Sequence, residues 1–264
     1  MKRLFLLTAL LAAGLAAAAQ ECRPIAIAAH RGHWTAPEAG RAQNSVAALR
    51  AAQRIGCWGS ELDIHLSGDH IVVVNHDDTR AGLPVQKSAY SELRGLLLVN
   101  GEPLPTLCEY LAQGLATDKT VLVIELKEQY SEEWEIRLID KTIESLKLYG
   151  LFDPERVMFI SFSHHICRRL AEAAPGFTNQ YLRGDLSPEV LHREGINGID
   201  YHFSAFDRHP EWVEEAHRLG MSVNVWTVDK EEDIRRMIGL GVDCITTNDP
   251  LLVRQLLGTR EKRL

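Results

Sequence analysis

The chain has 264 residues, 45% of them hydrophobic and 25% charged, with 19 glycines and 10 prolines; fractions like these exclude a collagen-like or disordered polymer. A formal net charge of −7 argues against nucleic acid as a partner, and an anionic ligand would need local cations or a metal to hold it. Past Ala19 no apolar run is long enough to cross a bilayer, which argues against stable membrane insertion of the body.

Residues 1–19 read separately from the rest. Lys2 and Arg3 precede an apolar stretch from Leu4 to Ala18, and Ala17, Ala18 and Ala19 supply small residues before Gln20. That order is the one of a cleaved secretory signal peptide, with an uncleaved anchor helix as the alternative. Residues 20–264 are then a single domain, secreted or periplasmic. All five cysteines (Cys22, Cys57, Cys108, Cys167 and Cys244) lie in it without a CxxC pair, so no zinc or redox motif is supported. The last four sit among apolar neighbours and read as buried packing residues.

Along this domain, short β-type runs alternate with helical patterns. Strands are expected at Ile25–Ala29, Ser60–Ile64, Val121–Leu126, Val157–Ser161, Thr178–Leu182, Ile196–Tyr201, Ser222–Val228 and Asp243–Thr246. Helices are expected between them at Ser45–Ile55, Thr106–Leu115, Glu132–Leu148, His164–Ala173, Ser187–Glu194, Pro210–Leu219 and Glu231–Leu240, with Pro250–Leu256 last. Strand–helix alternation calls for a parallel sheet covered by helices. Eight such units in one domain predict a (β/α)8 TIM barrel. A doubly wound open sheet competes, but no Gly-rich phosphate loop follows the first strand. The β run Ile71–Val74 follows the second strand too closely for a helical crossover, so it is not a stave. Asp77–Pro105 is a small insertion after the second strand, over one end of the barrel.

Charged residues gather at the strand ends. Glu61 and Asp63 stand two apart and share a face; Val121, Val123, Glu125 and Lys127 do the same on the third strand. In a barrel that parity sets carboxylates and an ammonium at the mouth over an apolar interior. Three convergent carboxylates repel one another, and a hard divalent ion such as Mg2+ or Ca2+ between them relieves the repulsion. The alternative is a pair of surface carboxylates and an ion pair to Lys127. His30 and Arg31 end the first strand, with Gly32 for a sharp turn; an Arg fork suits phosphate or carboxylate. His76 follows the Ile71–Val74 run, and two imidazoles beside a phosphoryl group could supply acid and base near neutral pH. With 11 histidines in the chain, any single one is more often structural than catalytic. His65 shares the Glu61/Asp63 face but reads as a rim residue beyond the strand end. Trp226, on one face with Ser222 and Asn224, is either a wall for a small polyol or simply a half-buried ring.

The ordered set Ala29-His30-Arg31-Gly32, Gln43-Asn44-Ser45, Glu61-Leu62-Asp63-Ile64 and Val74-Asn75-His76-Asp77 resembles the glycerophosphodiester phosphodiesterase family. Glu125-Leu126-Lys127, Val225-Trp226-Thr227 and Thr246-Thr247-Asn248-Asp249-Pro250 extend the resemblance to residues 25–257. It implies a metal-dependent hydrolase that cuts a small-molecule glycerophosphodiester into sn-glycerol 3-phosphate and an alcohol. Glu61, Asp63 and Glu125 would hold Mg2+ or Ca2+, and His30 and His76 would be the acid/base pair. Arg31 and Lys127 would grip the phosphate, and Trp226 would line the substrate site. One departure stands out: Gln43 occupies the place where the family usually has Glu, and it keeps a carbonyl acceptor but no charge.

Two other functions fit the same residues. Phospholipase D-like action on a lysolipid would need an apolar entry groove, for which Leu83, Leu96, Leu97 and Leu98 of the insertion are the candidates. A non-catalytic exported binding protein would keep the barrel without the chemistry.

Overall fold

A computed structural model describes residues 24–261; the expected signal peptide and Cys22 lie outside them. Eleven strands are described: β1 (Ala26–Ala29), β2 (Gly59–Leu66), β3 (Val72–Val74), β4 (Thr79–Arg80), β5 (Leu83–Pro84), β6 (Val121–Leu126), β7 (Val157–Ser161), β8 (Asn179–Tyr181), β9 (Gly198–His202), β10 (Ser222–Trp226) and β11 (Cys244–Thr247). Eight of them pair in parallel in the order β1, β11, β10, β9, β8, β7, β6, β2, and β1 pairs back onto β2 to close the barrel. β3 is no stave: it runs antiparallel to the end of β2, with His65 opposite Val73. The (β/α)8 architecture is the one that the alternation of patterns predicts.

Side-chain parity builds the two layers of core. On β6, Leu122, Ile124 and Leu126 face outward with Leu62, Ile64 and Leu66 of β2, and pack against Leu138, Ile139, Ile143 and Leu146. Those four lie on one stripe of a helix, Glu132–Leu148, whose apolar positions recur at helical spacing. Ser131 caps its start by accepting from the Trp134 N–H, and three acidic residues in its first turn complement the dipole. Each fully buried leucine here stabilises the fold by about 1.5–3 kcal/mol. Inside the barrel, Ala28, Val123, Met158, Ile160, Leu182 and Cys244 form an apolar plug. Gly59 belongs to that level, because a Cβ there would stand 3.2 Å from Val123 and 3.3 Å from Ala28. The plug leaves the carboxyl ends of the strands as the end where polar groups can meet.

The insertion after β3 contains the β4/β5 ribbon, a 3-10 turn at Val85–Lys87 and a short helix at Tyr90–Arg94. A helix at Phe203–Arg208 directly follows β9 and is not foreshadowed in the sequence pattern. Cys57, Cys167 and Cys244 are buried as expected, whereas Cys108 is only half-buried, beside Ser145. Among the described residues no helix is long and apolar enough to cross a membrane.

Candidate active site

β2 and β6 are in register with Asp63 opposite Glu125, and Glu61 lies two residues down the same face. Ligand oxygens of Glu61, Asp63 and Glu125 all lie within 4.8 Å of one another, and all three residues are buried. Gathering them in low dielectric is unfavourable, and the protonation equilibria register it. Burial, then repulsion from Asp63, pushes Glu125 up to about 8. Burial and both neighbouring carboxylates push Glu61 well above the usual carboxylate range. Burial acts upward on Asp63 too, but Lys127, His76, Asn44 and Arg31 together outweigh it and hold Asp63 low. Glu61 Oε1 is buried with no hydrogen-bond partner among the described residues. An all-oxygen donor set with an unpartnered carboxylate oxygen fits a hard divalent cation.

Two cations flank the carboxylates. Lys127 Nζ lies 2.7 Å from Glu125 Oε1 and 3.4 Å from Asp63 Oδ1. Arg31 Nε lies 3.6 Å from Asp63 Oδ2, and its Nη1 donates to Gln43 Oε1 at 2.7 Å. Gln43 therefore touches the guanidinium, not the carboxylate cluster. The His30-Arg31-Gly32 turn is held in a demanding conformation, with φ 55° at Arg31 and 76° at Gly32. This left-handed backbone is costly for Arg and natural for Gly. In return, the Arg31 N–H donates to Glu61 Oε2 at 2.6 Å. A Cβ at Gly32 would meet the backbone carbon of Ala48 at 2.7 Å.

The two histidines have different surroundings. His30 Nδ1 contacts Asn248 Oδ1 at 2.9 Å, and Trp34 Nε1 donates to the same oxygen at 3.0 Å. Asn248 Nδ2 donates to Asp229 Oδ2 at 2.7 Å, which orients the amide so that its oxygen faces His30. Burial, then Arg31, pushes His30 down to about 4, so the ring is neutral at pH 7. Its Nδ1 carries the proton that Asn248 accepts, and Nε2 is left with a lone pair. His76 is 37% exposed, with Nδ1 2.7 Å from Asp77 Oδ1. His76 lines one cavity with Glu125 and Lys127, and Lys127 in turn reaches Asp63. Trp226 donates from Nε1 to the Asp200 carbonyl at 3.0 Å and meets Phe162 edge-on at 5.4 Å and His202 at 5.1 Å. Of the eight residues singled out in the sequence, Glu61 and Asp63 lie within β2, and His30, Arg31, His76, Glu125, Lys127 and Trp226 lie at strand ends or in the loops that follow.

Sequence patterning assigns no role to several further contributors, although Asn44 and Asn248 stand within the motifs that carry the family resemblance. Asn44, at φ 56°, donates to Asp63 Oδ2 at 2.8 Å and accepts from the Asp63 N–H at 3.1 Å. Asn248 and Asp229 support His30 from the far end of the chain, and His202 joins the aromatic wall. His65 is a correction: β2 continues to Leu66, so His65 is fully buried inside the strand and not at the rim. Beside the carboxylates a cavity of about 630 Å3 is lined by His76, Asp77, Glu125, Lys127, Tyr130 and Phe162, among others. The insertion reaches this cavity through Asp78, Pro84, Gln86 and Lys87, and Leu83, Leu96, Leu97 and Leu98 are not among its lining residues.

A barrel whose mouth combines buried carboxylates, two cations and two imidazoles has the layout of a hydrolase for an anionic substrate. The chain belongs to the glycerophosphoryl diester phosphodiesterase family, whose model matches residues 30–252. A glycerophosphodiester phosphodiesterase of Caldanaerobacter subterraneus is 33% identical over 242 residues, which span 85% of this chain and 94% of that protein. The crystal structure of a glycerophosphodiester phosphodiesterase from Parabacteroides distasonis superposes with a TM-score of 0.87 at 38% identity, covering 90% of this chain and 99% of that one. A phosphodiesterase of Oleispira antarctica, solved with the product sn-glycerol-3-phosphate, shares the fold with a TM-score of 0.75 at 24% identity, covering 88% and 96%.

Proposed function

We infer that the protein hydrolyses glycerophosphodiesters to sn-glycerol 3-phosphate and an alcohol, using a divalent cation and two histidines. The observation that carries this reading is the convergence of Glu61, Asp63 and Glu125 between Arg31 and Lys127. Glu61, Asp63 and Glu125 would hold Mg2+ or Ca2+, which when bound neutralises the carboxylates and stabilises charge on the phosphoryl oxygens. Arg31 and Lys127 bind the remaining phosphoryl charge, and Arg31 does so from a backbone that Gly32 allows to turn. Trp226 and Phe162 pack the glycerol carbons.

His30 is the base. Its Nδ1 is committed to Asn248, so Nε2 takes the proton of the attacking oxygen; attack by water gives sn-glycerol 3-phosphate directly, whereas attack by the glycerol hydroxyl gives a cyclic phosphate that a water then opens to the same product. That oxygen forms a bond to phosphorus while the bond from phosphorus to the alcohol oxygen breaks. His76 is the acid: with Nδ1 directed at Asp77, Nε2 gives a proton to the departing alkoxide. The exported location rests on residues 1–19 alone, and the domain is residues 20–264.

The test is a panel of glycerophosphodiesters with choline, ethanolamine, inositol and glycerol as the alcohol. Release of sn-glycerol 3-phosphate is followed by a coupled dehydrogenase, with and without EDTA. Turnover that EDTA abolishes and Mg2+, Ca2+ or Mn2+ restores supports the reading. No turnover of any diester with any of the three ions refutes it.

A further inference from the structure

His65 belongs to none of the roles above, yet its placement is specific. It follows Glu61 and Asp63 on the inward face of β2 and is fully buried. Its Nε2 lies 3.3 Å from the backbone carbonyl oxygen of His76. A carbonyl only accepts, so Nε2 carries the hydrogen in this contact. Nδ1 is buried and without a hydrogen-bond partner among the described residues, so the ring makes one directed polar contact. That contact is to the peptide unit that carries the acid of the proposed reaction.

The loop needs such a contact. β3 ends at Val74, and His76 stands two residues past its last ladder position. Among the described residues, its imidazole has a side-chain hydrogen bond to the carboxylate of Asp77 alone, which is 76% exposed, so the side chain is not fixed by its own partner. The backbone is held instead. The Asn75 N–H donates to the Asp63 carbonyl at 3.0 Å, and Asn75 Nδ2 donates to the Asp77 carbonyl at 2.6 Å. The His65 contact falls between these two ties, on residue 76 itself. Strand and loop are thereby locked together, with Asp63 and His65 of β2 gripping residues 75 and 76.

We propose that His65 is a positioning residue: its Nε2–H clamps the His76 carbonyl and so sets the His76 imidazole against the phosphoryl site. This rests on His76 being the acid, and its effect falls on the rate of bond breaking, because His65 is fully buried and acts through the His76 backbone. A buried carbonyl left without its donor, and a catalytic ring displaced by a fraction of an ångström, are together sufficient for a rate loss of about tenfold.

Gln and Met at position 65 have similar length and flexibility, but only Gln can donate to the carbonyl. The proposal expects His65→Met to lower kcat about tenfold, with KM and product inhibition by sn-glycerol 3-phosphate within twofold of the unmodified protein. His65→Gln should recover most of kcat. Equal kcat in the two variants, whether both intact or both impaired, overturns it, as does a Met variant whose loss lies in KM. A readout independent of turnover is the backbone 15N resonance of Asp77, which reports hydrogen bonding to the preceding carbonyl. It should move in His65→Met and stay close to its original position in His65→Gln; no movement in either variant overturns the clamp. The resonance decides the clamp even if every diester in the panel is refused, which would sink only the assigned reaction.

Discussion

Binding of a divalent cation should release protons from the carboxylate cluster. Without a cation, Glu125 titrates at about 8 because burial and Asp63 oppose its ionisation. At pH 7 it therefore holds about 0.9 of a proton. Glu61 is also displaced upward by burial, Asp63 and Glu125. A cation favours the ionised carboxylates, so each bound ion should expel roughly one proton from Glu125 at pH 7, with any from Glu61 in addition. The sign follows: acid competes with the metal, and the logarithm of affinity should climb by at least about one for each pH unit up to pH 7.5. Above pH 8 the Glu125 contribution should fade as that carboxyl ionises by itself. Titration calorimetry with Mn2+ in buffers of different ionisation enthalpy, at pH 6, 7, 8 and 9, measures the released protons directly. Release near zero at pH 7, with affinity constant across the range, would refute the picture of crowded, protonated carboxylates.

Three further outcomes are expected. Removing the base or its support, His30→Ala or Asn248→Leu, should lower kcat by about 10²–10⁴ and about tenfold respectively, with circular dichroism and Tm retained. Gly32→Ala places a Cβ at 2.7 Å from the Ala48 backbone in a left-handed turn. It should cost about 2–4 kcal/mol in urea unfolding and weaken turnover through Arg31. Asp200 is buried in the barrel and burial alone raises it to about 8. The unfolded chain releases that proton above pH 4 while the folded one keeps it, so its contribution to stability falls as pH rises from about 4 to 8. Asp200→Asn should accordingly stabilise the protein by on the order of a few kcal/mol at pH 8 and by almost nothing at pH 4, read as Tm against pH.

The barrel and its carboxylates are legible in the chain because both depend on short-range periodicity. Period-two parity on Glu61-Leu62-Asp63 and on Val123-Ile124-Glu125 assigns one face to the helices and the other to the mouth, and the structure has that division. Asn44 and Asn248 stand in the family motifs, but the roles of the supports are not legible, for a different reason. Asn44 acts from a left-handed backbone that no pattern announces, and Asn248 meets His30 across 218 residues. His65 is misread because the end of β2 is set by its pairing with β3, and the sequence alone makes the strand two residues too short. Phe203–Arg208 is hidden because its helix begins with no loop between it and β9. Local patterns reveal the residues on staves; long-range closure decides what braces them.

The central proposition, that three acidic side chains surround one ion, is tested most directly by diffraction from crystals soaked in Mn2+, with data collected near the manganese edge. One anomalous peak bonded to carboxylate oxygens of Glu61, Asp63 and Glu125 is the predicted result. A peak elsewhere, or none at this cluster in crystals of the active protein, would contradict it.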